Sequence, residues 1–269
     1  MRFYNIPLLC LLILSSPTAA EEPTSSLEFK GIYDVGLGKV RFARVGLEME
    51  QTPKSYGITS DIIITGILKW FTKHQSHTTS EGTGSNFAYT ERSYESNYFT
   101  KKKHKNVKMV YAKGRLPDIT LLPPEPPGNR SEIKKELLLN HFDPLLAILK
   151  MREQLRKTLQ EEQDSFMLDV FDGRRMYRAN FSIVGKKELL FNDKKTPVIV
   201  TSLRRELKGG FTKSELKKYD PKEPSLTVYF TDDERMMPIR VETHFWFGQI
   251  SATLVKECRT GESCLFGLK

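Results

Sequence analysis

Between Tyr33 and Glu50 the chain alternates apolar and polar residues as a β-strand does, then changes phase in mid-run. Val40 and Phe42 are apolar between Lys39, Arg41 and Arg44. Beyond them Ala43, Val45, Leu47 and Met49 carry the apolar parity, opposite Arg44, Glu48 and Glu50. Side chains on a strand alternate with a period of two, so a slip of one residue moves every later side chain to the other face. One extra residue, a β-bulge, absorbs such a slip by bending and twisting the sheet. The run therefore predicts a strongly curved sheet with a bulge near Phe42 and Ala43.

Period-two patterning continues along most of the chain. In GITSDIIITGILKWF, Ile58, Ile62, Ile64, Leu68 and Trp70 share one parity, which predicts a strand covered on both faces for part of its length. HQSHTTSEGTGSN is expected as a polar loop, followed by weaker strands in NFAYTERSYESNYFT and KNVKMVYAKG. Residues 117–130 hold five prolines and are expected as an extended connector outside any sheet. One long helix is predicted near residues 143–160. Asp143 suits its N-cap and Pro144 its first helical position. Leu145, Ile148, Leu149, Leu155 and Leu159 recur on one face, opposite Lys150, Glu153, Arg156 and Lys157. PLLAILKM is apolar nearly all round, so the start of the helix should be deeply buried. The alternation resumes in SFMLDVF, turns at Asp172-Gly173, and runs on through RRMYRANFSIVG, TPVIVTSLRREL, SLTVYF and PIRVETHFWFGQISATLV. Strands on both sides of a single long helix predict a mainly β fold. Its form would be a curled antiparallel sheet, a half-open barrel or β-spiral, wrapped around that helix.

The ends of the chain speak to compartment. Residues 1–20 combine Arg2, the apolar run IPLLCLLIL and Thr18-Ala19-Ala20, the pattern of a secretory signal cleaved near Ala20. The run falls short of the about 20 apolar residues that span a bilayer. Cys10 lacks the small preceding residue of a lipidation site. Residues 21–269 are then expected as a single β-rich periplasmic domain. Cys258 and Cys264 flank the five-residue connection Arg259–Ser263. Facing each other across a hairpin in an oxidising compartment they would form a disulfide; the plain alternative is two reduced thiols in a mobile tail.

Three stretches, FDPLLAILKMREQL, VFDGRRMYRANFSI and LTVYFTDDERMMPIRVE, occur in an order and spacing that resembles a family. It is the domain of unknown function 3108 family of exported bacterial proteins. Asp143, Asp172, Gly173, Arg175, Tyr177, Asp233, Arg235, Pro238 and Arg240 occupy the places of its pattern. Two departures are SLTVYF, where Tyr229 or Phe230 would replace a family Trp, and the SEIKKELLLNHF insert before the helix. The resemblance implies no activity. It implies an architecture similar to outer-membrane lipoprotein carriers and envelope-integrity β-spirals.

Catalytic patterns are weak. GLGKVR lacks the spacing of a phosphate loop, and no nucleophile elbow occurs. His74 and His77 are expected as solvated loop residues rather than metal ligands, and neither metal nor cofactor is expected. Pairs such as Asp172 with Arg175 and Asp233 with Arg235 suit turns better than acid–base work. The expected function is therefore non-enzymatic: a cell-envelope protein binding an apolar or amphipathic component, a lipid or lipoprotein-like ligand. Leu145, Leu146, Ile148, Leu149 and Met151 are the candidate lining, although apolar helix faces are core by default. The alternative is a scaffold that holds anionic cell wall or membrane through Lys101, Lys102, Lys103 and Lys105, consistent with a net charge of +9. A lysine-guarded edge strand is the plain reading of that run. Export excludes nucleic acid as a partner. Membrane contact would be peripheral, and a monomer is expected.

Overall fold

The computed structural model describes residues 26–66, 68–71, 73–85, 88–112, 114–219, 226–245 and 248–268. The expected signal segment, with its cleavage near Ala20, lies outside them. The elements follow in chain order: β1 (Leu27–Leu37), β2 (Val40–Gln51), β3 (Ser55–Ile64), α1 (Leu68–Phe71), β4 (Gln75–Ser85), β5 (Ala88–Phe99), β6 (His104–Val110) and β7 (Asp118–Leu122). Then come α2 (Lys135–Leu139), α3 (Leu146–Gln160), β8 (Ser165–Phe171), β9 (Met176–Phe191), β10 (Lys194–Gly209), α4 (Lys213–Lys218), β11 (Leu226–Thr231), β12 (Pro238–Phe245) and β13 (Gly248–Glu257). The strands form one antiparallel sheet in the order β7-β6-β5-β4-β3-β2-β1-β13-β12-β11-β10-β9-β8. The sheet is open, with β7 and β8 as its edges.

The change of phase in the first long run is a bulge. Val35 pairs with Ala43 and Gly36 with Arg41, which leaves Phe42 as the extra residue of β2. Further register shifts bend β1–β13, β4–β5, β9–β10 and β11–β12. The accumulated curl brings the two ends of the strand order together. Gly173, in the turn after edge strand β8, has φ +86°, and a Cβ there would stand 2.2 Å from Val107 Cγ1 on β6. Only glycine fits this approach.

The core follows from that curl. One cluster joins Phe29, Met49, Ile58, Tyr94 and Met109 from β1, β2, β3, β5 and β6 to Met176, Val198, Ile239 and Leu254 from β9, β10, β12 and β13. Leu146 and Leu149 of α3 belong to the same cluster. Further along the helix, Leu155 joins Ile199, Val228 and Phe230. Each such leucine contributes about 1.5–3 kcal/mol by leaving water.

Several expectations change. The segment expected as a polar loop is strand β4, whose inward positions hold small residues: Ser76 and Ser80 are buried, and a Cβ on Gly82 would touch the Tyr56 ring. Small polar inward residues hide a strand from any hydrophobic count. The run into Trp70 is not one strand, because β3 stops at Ile64 and residues 68–71 are helical. Residues 118–122 of the proline-rich connector form edge strand β7, placed between Pro117 and Pro123 so that no proline interrupts the ladder. Lys150, expected on the outer face of the helix, is buried beside Glu153 (2.7 Å), with its ammonium 5.7 Å from the centre of the Tyr89 ring.

Cys258 and Cys264 form the expected disulfide, with Cα atoms 5.9 Å apart. The segment after it is not a second hairpin strand. The Ser263 hydroxyl and the Cys264 N–H both donate to Glu48 Oε1 at 2.7 Å, and the Phe266 N–H donates to Asp61 Oδ2 at 2.7 Å. A Cβ on Gly46 would stand 2.3 Å from the Cys264 carbonyl, so the tail lies directly on β2. Nor is β13 an edge: it pairs with β1 and with β12.

Candidate functional site

The residues of the family pattern resolve into turns. Asp143 Oδ1 accepts the N–H groups of Leu145 (2.9 Å) and Leu146 (3.0 Å). Asp172 Oδ1 accepts those of Arg174 (3.0 Å) and Arg175 (2.7 Å). Asp233 Oδ1 accepts those of Arg235 (3.0 Å) and Met236 (3.0 Å). Each carboxylate thus satisfies main-chain donors two and three residues ahead, as Asp does at caps and turns. Arg175 closes the second turn on Asp172 Oδ2 (2.7 Å) and reaches Glu215 at 3.7 Å. The Pro238 carbonyl accepts the Tyr33 hydroxyl at 2.8 Å, and Arg240 pairs with Glu242. Burial pushes the Tyr177 hydroxyl up to about 12. The Asp233 turn is held by buried Arg152, which donates to the Arg235 carbonyl, and by Arg156, which donates to that of Glu234. These positions fix where chain segments meet and do not converge on one reacting centre.

Around the start of α3 lies a polar cluster that sequence reasoning missed. Asp143 is fully buried, and the Ser80 hydroxyl donates to its Oδ2 at 2.6 Å. The Tyr56 and Ser80 hydroxyls share a 3.2 Å hydrogen bond, and Tyr111 and His141 share one at 3.3 Å. Glu91 stands nearby, with Oε1 buried and without a hydrogen-bond partner. Burial raises both acids, Asp143 to about 6 and Glu91 to about 7; the bonds from Ser80 and the helix N–H groups oppose the rise at Asp143. Burial also lowers the His141 imidazole. Asp143 was legible as the helix cap, and the alternation of small residues in β4 was a further sequence signal for this cluster.

The candidate lining residues divide. Leu145, Leu146 and Leu149 are buried among core neighbours, while Ile148 and Met151 are half-buried at its edge. An open groove lies instead along the second half of α3. It encloses about 590 Å³ between Gln154, Lys157, Thr158 and Glu161 on one side and the β8–β9 hairpin on the other. Phe166 and Phe181 stack at its floor with ring centres 4.6 Å apart, while Met167, Asn180 and Ser182, which alternate with them along β8 and β9, turn their side chains to the other face of the sheet. Gln163 and the helix residues Gln154 and Lys157 supply a polar rim. That volume lies within the about 300–1,000 Å³ of small-molecule sites. Among the described residues, the edge of β8 is covered only at its far end, where Phe142 bonds to Asp169 and Phe171.

Lys101, Lys102 and Lys103 form the β5–β6 turn, organised by the Thr100 hydroxyl, and Lys105 is the second residue of β6; all four are exposed, but β6 pairs with both β5 and β7 and so is not the expected edge strand. His74 lies in the β3–β4 connection as expected but is half-buried rather than solvated, and His77 is in strand β4 rather than a loop. His77 Nδ1 lies 2.6 Å from buried Asp61, and His74 packs edge-on against Tyr98 at 4.2 Å. Among the described residues no group of three or more His, Cys, Asp or Glu side chains is arranged to hold a metal. No described helix is long and apolar enough to cross a membrane.

Fold and turns define a class: an open, curled antiparallel β protein of barrel-like form. The chain belongs to the family described as Protein of unknown function (DUF3108), whose model matches residues 32–255. Among solved structures it is similar to the crystal structure of a beta-barrel-like protein of domain of unknown function DUF1849 from Brucella abortus. The TM-score is 0.51 at 11% identity, covering 86% of this chain and 97% of that one. That likeness shows the fold alone. No curated protein matches the chain.

Proposed function

We propose that this is a non-enzymatic periplasmic protein of the cell envelope that binds an amphipathic component, a lipid or lipoprotein-like ligand. In this reading the curled sheet is wrapped around α3, and the ligand lies in the groove on the second half of that helix. The observation that carries it is the groove: a stacked aromatic floor for an apolar chain, beside Gln154, Lys157 and Gln163 for a polar head. The leucines of the helix start fill the core and do not line the ligand site. The motif carboxylates are engaged with main-chain N–H groups, which supports a scaffold rather than a reaction centre. Native mass spectrometry of protein purified from its own host envelope tests this. One co-purifying amphiphile per chain, absent from a Lys157→Trp variant that melts as wild type does, is the expected result. Ligand-free wild-type protein would overturn it.

A second reading is favoured by the exposed lysines of the β5–β6 turn: a scaffold that binds anionic cell wall or membrane. Raising salt from 0.1 to 1 M shortens the Debye length from about 10 Å to about 3 Å. Binding to sacculi or anionic vesicles should then vanish in salt and on replacing Lys101, Lys102, Lys103 and Lys105 by Gln. Salt-insensitive binding would remove this reading.

A further inference from the structure

The lysine turn is one of three neighbours. Strands β6 to β1 are consecutive in the sheet, so the β5–β6 turn, the β3–β4 connection and the β1–β2 turn lie side by side at one end of it. The rings of His74 and Tyr98 join the first two, and a 2.8 Å bond from the Thr65 N–H to the Phe42 carbonyl joins the last two. Their sequences, TKKKHK (100–105), TGILKWFTKHQ (65–75) and LGKV (37–40), contain no Asp or Glu. Lys39, Lys69, Lys73, Lys101, Lys102, Lys103 and Lys105 are all exposed. Asp34, the nearest acid along β1, is engaged by Arg41 (2.6 Å) and Arg44 (2.8 Å).

The other half of the same end is built differently. There Glu125 holds Arg130 and Arg174, and Glu215 holds Arg130 and Arg175. Two large apolar side chains stand among the lysines: Val40, 62% exposed at the β1–β2 turn, and Leu68, 40% exposed on α1. Cations alone would suit any polyanion. Apolar side chains raised among cations at the tips of hairpins suit a surface that is anionic outside and apolar beneath.

We propose that this end of the sheet docks on an anionic lipid bilayer, with Val40 and Leu68 entering the headgroup region and the surrounding lysines on lipid phosphates. The proposal rests on the second reading above and deepens it by naming the surface and the residues that enter it. The test is co-sedimentation of the purified protein with vesicles of phosphatidylglycerol and phosphatidylcholine. Binding to soluble polyphosphate is measured in parallel.

Wild-type protein should bind the mixed vesicles and not pure phosphatidylcholine. Lys101→Gln, Lys102→Gln, Lys103→Gln should weaken vesicle binding about 100-fold, at about fivefold per lysine. Val40→Ser, Leu68→Ser should weaken it about tenfold or more and leave polyphosphate binding unchanged. All positions are exposed, so the variants should melt as wild type does. Binding to polyphosphate but not to vesicles, or vesicle binding indifferent to the Val40 and Leu68 changes, would remove the bilayer proposal and leave the second reading standing. Binding to neither would remove both.

Discussion

Helix α3 is one helix with two environments. Its first half carries Leu146, fully buried, and Leu149 in the central cluster, beneath an Asp143 cap bonded in turn to Ser80 of β4. Its second half keeps Leu155 in the core but turns Gln154, Lys157 and Glu161 to an open groove. The apolar period is similar along its length. What differs is the wall opposite: strands from both ends of the curled sheet surround the first half, whereas the second half meets the half-uncovered edge strand β8. Stability is therefore concentrated at the start of the helix, and room for a ligand at its end.

The contrast predicts unequal responses to substitution. Leu146→Ala should lose about 2–5 kcal/mol in denaturant unfolding, and Gln154→Ala should stay within about 0.5 kcal/mol. Equal losses would break the comparison. Asp143→Ala should cost about 1–3 kcal/mol, because two helix N–H groups and the Ser80 hydroxyl lose a buried acceptor. A surface-like response would show that the start of the helix is not anchored as described.

A further effect is in pH. Glu91 and Asp143 are raised by burial from ordinary values of 4.5 and 3.8 to about 7 and about 6. The unfolded chain therefore gives up these protons more readily than the folded one. Their contribution is fully present below about pH 4 and is lost as pH rises to about 7. Lys150 and the Tyr56, Tyr94 and Tyr111 rings face the same cluster. Glu91→Gln should flatten the decline between pH 4 and 7, measured by urea midpoints across pH. An unchanged slope would place the titration elsewhere.

Much of the sheet was legible because its rules are local. The slip at Phe42 announced a bulge, Asp172-Gly173 announced a turn, and Asp143-Pro144 announced the start of the helix. β4 was missed because Ser76, Ser80 and Gly82 face inward, where small polar residues are required by Asp143 and Tyr56. Strand β7 was missed because its prolines flank the ladder rather than enter it. The tail was misread because its partners, Glu48 and Asp61, lie more than 200 residues away in sequence. The groove was not legible for a similar reason: Gln154 and Phe181 come to line one groove only through the packing of α3 on the β8–β9 hairpin. The motif carboxylates Asp143, Asp172 and Asp233 were legible as cap and turn residues, but which main-chain N–H groups each accepts needed coordinates.

The central claim is that an amphiphile occupies the groove beside the second half of α3. The most direct measurement is titration of delipidated protein with a fluorescent fatty acid, for wild type and for Lys157→Trp, which fills the groove from an exposed position on α3. The account predicts saturable binding with one site per chain in the wild type, and loss of that binding in Lys157→Trp at unchanged melting temperature. Absence of binding by wild type, or equal binding by both, would contradict it.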